Sequence, residues 1–150
     1  MLEDKLMQDL KVAMKSGNII DKNIIQQIRA NILLAKKSNT NIKDRDIEDI
    51  IAKERNRRTE ALVQFIKANR SDLVEQTKKE MLCLSRYLPQ PMSDEELELA
   101  VKSIMNNENV TEIKFMGYII NKCKDAFGNR VTGKQLSDMV KKLFNEINEV

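Results

Sequence analysis

The sequence contains no histidine and no tryptophan among its 150 residues. Without histidine, most zinc sites, the Ser-His-Asp and Cys-His nucleophile arrangements and the commonest general base near neutral pH are excluded. The two cysteines, Cys83 and Cys123, are too few and too far apart for a metal knuckle or a disulfide framework. We therefore expect both thiols to be reduced and at least partly buried, with no metal, no cofactor and no catalytic residues.

Glycine, proline and long apolar runs are also scarce. Four glycines and two prolines leave few hairpin turns to support a sheet. No apolar run approaches the roughly 20 residues of a membrane span, and the segment 1–10 lacks a signal-peptide core. We expect an intracellular protein, in the cytoplasm or an organellar matrix, with no membrane partner.

The residues that are abundant belong to amphipathic helices. Apolar residues make up 41% of the chain and charged residues 33%, and Leu, Ile, Met, Lys, Glu and Gln dominate. Helical spacing of the apolar residues predicts an all-α fold of seven helices. We expect Asp21 to cap the second helix and Ser71 the fourth, and we expect Leu33, Ile66 and Ile147 to face inward.

Pro89 and Pro91 mark the best candidate domain boundary, because the residue before a proline is pushed out of the helical region. The predicted domains are 1–88, a bundle of about four helices with a long third helix starting near Asp44, and 89–150, a compact three-helix subdomain. In the second domain, Ser93 with Glu96 forms a capping box. The run 106–109 is predicted as a loop, and a sixth helix is predicted over 112–126.

The middle of the third helix carries charge where its apolar face should continue. Glu54, Arg57 and Arg58 fall at inward positions between two apolar patches. One interpretation is a solvated face with i, i+4 pairs such as Glu54 with Arg58. The other is a basic surface for a ligand, because residues 51–88 carry nine basic and five acidic side chains.

A second basic region surrounds the turn before the last helix, where Gly128 ends the sixth helix and Thr132 with Gln135 forms a capping box. A helix N-terminus presents unpaired N–H groups and partial positive charge. We expect Gly133 to allow close approach, and the flanking cations to seat one phosphate of a nucleic-acid backbone. The candidate nucleic-acid contacts are Lys122, Arg130, Gly133 and Lys134, with Arg57 and Arg58 from the third helix.

The alternative for this turn is a tight helix–helix connection whose glycines serve packing and whose cations sit in water. Aromatic residues are nearly absent from the basic regions, so stacking of single-stranded bases is not expected. A reader of RNA backbone and shape fits better. Glu95 and Glu96 are explained by the helix macrodipole, and Tyr87 is predicted to be half-buried with its hydroxyl in water.

Five segments form a recognisable pattern: Arg70-Ser71-Asp72-Leu73, Tyr87-Leu88-Pro89, Ser93-Asp94-Glu95-Glu96-Leu97, Met116-Gly117 and Arg130 to Lys134. With these segments the sequence resembles the GatB/YqeY family over nearly the whole chain. The resemblance implies two helical subdomains, in agreement with the boundary at Pro89. Related domains form the tail of the B subunit of the tRNA-dependent amidotransferase and are appended to a glutaminyl-tRNA synthetase. There the domain is implied to contact tRNA while the amidation chemistry resides elsewhere.

The sequence departs from the family pattern in two places. The last turn usually reads Gly-Arg-Ala-Asp-Gly-Lys, whereas here Asn129 replaces the first glycine and Thr132 the aspartate. Thr132 keeps the N-cap, and Asn129 is expected to adopt the left-handed conformation. In the sixth helix, Asn121 and Asp125 replace a glycine and a proline, which favours a more regular helix.

These observations predict a YqeY-like binding module that contacts tRNA, or an aminoacyl-tRNA synthetase or amidotransferase subunit. Two alternatives stay open. One is an accessory subunit in glutamine-dependent carbon–nitrogen ligation. If the chain were part of an enzyme, we would expect this amidotransferase-related activity and no other. The other is a protein-interaction adaptor or homo-oligomer that works through the middle of the third helix and has no nucleic-acid role.

Overall fold

The computed structural model describes residues 1–148, which form seven α-helices and no strand. The predicted all-α class is confirmed. Short 3-10 turns, Ile113–Phe115 and Gly128–Arg130, precede the last two helices. The helices are α1 (Leu2–Ser16), α2 (Ile19–Ser38), α3 (Asp44–Lys67), α4 (Ser71–Ser85), α5 (Asp94–Glu108), α6 (Met116–Phe127) and α7 (Gly133–Asn148).

The chain divides into two compact units, one spanning Met1–Pro89 and one beginning at Gln90. The first unit contains α1 to α4 and the second α5 to α7. Each has its own apolar cluster of buried side chains. The assignment of each unit as a separate domain stays a prediction.

The core of the first unit is built mainly from isoleucines of α2. Ile24, Ile25, Ile28 and Ile32 are all buried and pack with Leu6, Leu10, Ile47, Ile51 and Leu84. The expectation for Leu33 was wrong, because this side chain is 64% exposed. Each helical residue is rotated by about 100° from its neighbour, so the residue after Ile32 leaves the buried stripe.

The cap of α2 also differs from the expectation. Asn18 is the N-cap, and its Oδ1 accepts from the backbone N–H of Asp21 at 3.1 Å. The helix begins at Ile19, which places Asp21 inside its first turn. Asp21 is buried, and its carboxylate accepts from Arg86 at 2.9 Å.

A buried carboxylate at Glu54 organises the middle of α3. Glu54 is 3% exposed, and its two oxygens accept from Arg58 at 2.6 Å, Arg57 at 3.1 Å, Asn31 at 3.3 Å and Gln27 at 3.4 Å. The predicted Glu54–Arg58 pair is present, but a fully solvated face is wrong. Glu54 is held inside by donors from two helices, Gln27 and Asn31 of α2 and the two arginines of α3 itself.

Arg58 extends this network to α4. Its Nε donates to Glu80 at 3.1 Å and its Nη2 donates to the Gln27 side-chain oxygen at 3.1 Å. Within the described residues, no buried side-chain nitrogen or oxygen lacks a hydrogen-bond partner. A buried charge is tolerated only when it is paired and hydrogen-bonded, and this network meets that condition across three helices.

Beyond the network, α3 and α4 continue as an arm. No residue is buried from 55 to 76, all of which the structure describes. Ile66 is 55% exposed, so its inward assignment was wrong. At the tip, Asn69 has a φ of 55°, and Arg70 rather than Ser71 occupies the N-cap of α4. This two-helix arm has only its own two faces to pack.

The second unit packs three helices around a core that includes the fully buried Phe144. Ser93 caps α5 by accepting from the Glu96 N–H at 3.1 Å. The predicted loop over 106–109 is wrong, because α5 continues to Glu108 and stops only where Asn109 takes a left-handed φ of 53°. The sixth helix starts later than predicted, after the 3-10 turn Ile113–Phe115. Ile147, predicted to face inward, is 41% exposed.

We expect Glu54→Gln to lower the free energy of unfolding by about 3 kcal/mol, because it removes the buried carboxylate that pairs with Arg58. Urea unfolding followed by circular dichroism would measure the change. The control is Glu60→Gln on the same helix, where the side chain is exposed and we expect a change below about 0.5 kcal/mol. Equal destabilisation by the two variants would contradict the structural role of Glu54.

Candidate nucleic-acid interface

The turn between α6 and α7 is set by one glycine and one capping box. Gly128 has a φ of 56°, where a glycine avoids the steric cost that a side chain would bring. Thr132 Oγ1 accepts from the Gln135 N–H at 3.1 Å, and the Thr132 N–H donates to Gln135 Oε1 at 3.1 Å. The predicted capping box is therefore confirmed. Asn129 was expected to be left-handed, but its φ is not positive; the positive φ of this turn belongs to Gly128, whose ψ is −133°.

The glycines of this region do not serve close packing. A Cβ placed on Gly133 would meet no described heavy atom within 4 Å, and the same holds for Gly128 and Gly117. Gly133 is the first residue of α7 and is exposed. The packing role that the alternative gave these glycines is not supported, and the start of α7 is open to solvent.

Arg130 is held within its own unit. Its Nε donates to the Gln90 carbonyl at 3.0 Å, and its Nη2 donates to Glu96 Oε1 at 2.9 Å. The Arg130 carbonyl also accepts from the Met92 N–H at 3.0 Å. The side chain therefore ties the last turn to the segment that leads into α5. The neighbouring Glu96 carboxylate also weakens the attraction of this point for an anion.

Lys122 and Lys134 have different surroundings. Lys122 Nζ lies 3.6 Å from Glu108 Oε1 and 5.6 Å from the centroid of the Tyr118 ring. Tyr118 first, and Glu108 second, raise the pKa of Lys122 above its ordinary value. Lys134 is exposed and forms no ion pair with any residue of 1–148. Of the predicted cations in this unit, Lys134 is the one without an ion-pair partner among residues 1–148.

The two arginines of α3 that were predicted to contact nucleic acid differ in exposure and in their partners. The Arg57 side chain is 73% exposed and has Glu54 as its ion-pair partner. The Arg58 side chain is 14% exposed and is engaged by Glu54, Glu80 and Gln27. In a basic ligand surface centred on the middle of α3, Arg57 would therefore be accessible to the ligand, whereas Arg58 is engaged in the buried network.

Two further cations join this region, Lys124, which sequence reasoning placed beside the turn without naming it as a contact, and Lys141, which it left out. Lys124 and Lys141 are exposed and, like Lys134, have no ion-pair partner within the described part of the chain. Lys134 and Lys141 are seven residues apart and so share one face of α7. The seven-residue spacing could be read from the sequence, whereas the ion pairs of the other basic residues in this unit could not. We call Lys124, Lys134 and Lys141 the open lysines.

The two thiols and the Tyr87 side chain are buried. Burial raises the pKa of the Cys83 thiol to about 12, with a further contribution from Asp21, and raises that of Cys123 to about 11. Tyr87 is buried, and its hydroxyl donates to Asp9 rather than to water as predicted. Burial, followed by this hydrogen bond, raises the pKa of Tyr87. None of these groups is prepared to attack a substrate at neutral pH.

The structure also bears on metal ions and membranes as partners. Within the described residues, no group of three or more Cys, Asp or Glu side chains is placed to hold a metal ion. Of the helices that the structure describes, none combines the length and apolarity needed to cross a membrane.

Comparison with known proteins identifies one family. A family model described as "Yqey-like protein" matches residues 3–144, which is nearly the whole chain. No curated protein matches the chain. The match includes the turn between α6 and α7 and all three open lysines. It also includes Asn121 and Asp125, across which α6 runs without interruption, as the replacement of glycine and proline predicted.

We expect Arg130→Gln to lower the free energy of unfolding by about 1–2 kcal/mol, because it removes the contacts to Gln90 and Glu96. Lys134→Gln is the matched control, since it removes one charge four residues away without breaking an ion pair. Urea unfolding curves should shift for the first variant and coincide with the parent for the second. A shift of the same size in both would contradict the distinction between a structural arginine and an open lysine.

Both cysteines should resist thiol reagents in the folded protein, because their raised pKa values keep the thiols protonated and their burial blocks access. At pH 8, a chromogenic disulfide reagent should label almost no thiol in native protein and two thiols per chain in denaturant. Cys83→Ser and Cys123→Ser would assign each thiol. Rapid labelling of either cysteine under native conditions would contradict its burial.

Proposed function

The chain belongs to the Yqey-like protein family, and we propose that it is a binding module that contacts tRNA through the open lysines of α6 and α7. The three lysines would bind phosphates of the RNA backbone. The proposal assigns no catalytic step to this chain. Any chemistry on the bound RNA would belong to a separate enzyme.

The observation that carries the proposal is the excess of cations that remains after ion pairing in the second unit. Residues 110–142 contain seven basic and three acidic side chains. Four of the basic residues have ion-pair partners, namely Lys114, Lys122, Arg130 and Lys142. The open lysines are the remaining three, and an unpaired exposed ammonium group can bind phosphate without first losing a carboxylate.

The arrangement of these lysines favours a structured RNA over an isolated phosphate. A single exposed ammonium–phosphate contact contributes little in water, so useful affinity needs several contacts at once. Helices α6 and α7 pack against each other, which fixes the backbone positions from which these lysines extend. Phosphate contacts made by rigid helices select backbone shape rather than base sequence.

The resemblance to the tail of the tRNA-dependent amidotransferase supports tRNA as the specific RNA. The contacts differ from those expected from the sequence, because Arg130 holds the turn together and Arg58 lies in the first unit's buried network. Within the predicted set, Lys134 carries the proposal, joined by Lys124 and Lys141. Gly133, which has no side chain, leaves the start of α7 uncovered.

We expect the triple variant Lys124→Gln, Lys134→Gln, Lys141→Gln to bind tRNA at least about 10-fold more weakly. Fluorescence anisotropy with labelled tRNA between about 50 and 200 mM KCl would measure the dissociation constant. Each lost phosphate contact should also reduce the slope of log K against log salt by about one.

The matched control is Lys11→Gln, Lys15→Gln, Lys78→Gln, three exposed lysines of the first unit that also form no ion pair within 1–148. It changes the net charge by the same amount and should leave affinity nearly unchanged. No binding by the parent protein at low salt would refute the proposed function. Equal weakening by both triple variants would show that net charge alone, and not this surface, attracts the RNA.

A further inference from the structure

An exposed aromatic surface lies at the start of α6 and includes none of the open lysines. Phe115 and Tyr118 are 43% and 45% exposed. They are three residues apart, so they lie near one another on the helix surface. The neighbouring Ile113 is 53% exposed. We call Ile113, Lys114, Phe115, Tyr118 and Lys122 the aromatic–lysine patch.

The core does not require these rings. The inward side of α6 is supplied by Ile119 and Cys123, which are fully buried, with Met116 and Ile120 partly buried against the same cluster. Gly117, between the two aromatic residues, has no described heavy atom within 4 Å of the position where its Cβ would lie. The rings therefore border a stretch of helix surface that no side chain covers.

Each ring has a lysine ammonium group over one face. Lys114 Nζ lies 5.2 Å from the centroid of the Phe115 ring, and Lys122 Nζ lies 5.6 Å from that of Tyr118. The Tyr118 hydroxyl donates to Glu108 Oε2 at 2.8 Å. Because this hydrogen bond holds the Tyr118 ring, the ring loses less rotational freedom when a ligand binds.

Two carboxylates complete the surroundings of the patch. Glu112 lies 3.0 Å from Lys114, and Glu108 lies 3.6 Å from Lys122. Both pairs are at the surface, where an ion pair contributes little free energy. A phosphate can therefore replace a carboxylate as partner of either lysine at low cost.

We propose that the aromatic–lysine patch stacks unpaired nucleobases of RNA on Phe115 and Tyr118, while Lys114 and Lys122 bind the adjoining phosphates. The inference rests on the proposed function for its choice of a nucleic-acid partner. Exposed rings flanked by cations match a base and its phosphate, since stacking is sequence-tolerant and the ammonium groups match the backbone. A protein helix would instead be expected to meet a longer apolar stripe without two lysines beside the rings.

This inference changes an expectation from the sequence. Base stacking was not expected because few aromatic residues lie in the basic regions, and Phe115 gave no sign that it faces solvent. In the tertiary structure Phe115 lies in the 3-10 turn Ile113–Phe115 and its side chain is 43% exposed. The patch should therefore prefer single-stranded or looped RNA, whose bases are accessible, to a continuous duplex.

The test uses the full chain and two probes, an oligouridylate of about ten nucleotides and an RNA duplex of the same length. Phe115→Ala with Tyr118→Ala should weaken oligouridylate binding by about 10-fold or more and should change duplex binding much less. The ring-exchanged variant, Phe115→Tyr with Tyr118→Phe, should bind the oligouridylate like the parent. Leu99→Ala with Ile147→Ala, two exposed apolar residues of the same unit, is the control for lost apolar surface.

Tyrosine fluorescence gives a second readout, because the chain has no tryptophan and two tyrosines, of which Tyr87 is buried. Oligouridylate should quench the emission of the parent protein, and Tyr118→Phe should remove most of that quenching. Unchanged oligouridylate affinity in the double alanine variant would overturn the inference. So would a double alanine variant that binds RNA normally but loses association with another protein chain.

The two proposals can fail separately. If the open-lysine triple variant loses tRNA while the double alanine variant binds oligouridylate like the parent, the stacking inference is wrong and the proposed function stands. If the parent binds oligouridylate through the two rings but does not bind tRNA, the proposed function is wrong while the patch remains a single-strand site. If the parent binds no RNA, both are wrong.

Discussion

The buried carboxylate of Glu54 constrains the first unit more than any other single group. An ionised carboxylate inside a protein requires several donors, and these come from Gln27 and Asn31 of α2 and from Arg57 and Arg58 of α3. Arg58 then requires Glu80 of α4 as a second anionic partner. Three helices are thereby fixed at one level, and beyond this network α3 and α4 contain no buried residue between positions 59 and 76.

The same requirement for partners determines which cations remain for function. Arg130 looks like a phosphate ligand in the sequence, but it satisfies the Gln90 carbonyl and Glu96. Lys134, four residues later, has no such partner within the described residues. A basic residue is therefore informative about ligand binding only after the carboxylates of its own fold have been assigned. This reasoning leads from a general basic excess to the open lysines.

Much of the fold was predictable because it depends on local rules. The apolar spacing of α2 and α7, the N-cap at Ser93 and the capping box of Thr132 and Gln135 all depend on residues within one or two helical turns. The prediction for Ile66 failed where distant residues decide, because its exposure depends on which helices lie nearby, whereas Leu33 lies outside the buried stripe of its own helix. The cap of α2 and the loop over 106–109 failed for a local reason, since asparagine serves equally well in caps, turns and helix ends.

The sequence by itself determined the all-α class, the positions of the seven helices and the presence of a basic region around the last turn, because helical periodicity and charge are properties of neighbouring residues. Only the tertiary structure decided that Glu54 and Arg58 lie inside, that Arg130 holds its own unit together and that Phe115 and Tyr118 face solvent. Each of these outcomes depends on residues far away in the chain. The turn from Gly128 to Lys134 contains both kinds of information, since its shape follows from local capping and the availability of its cations follows from long-range ion pairing.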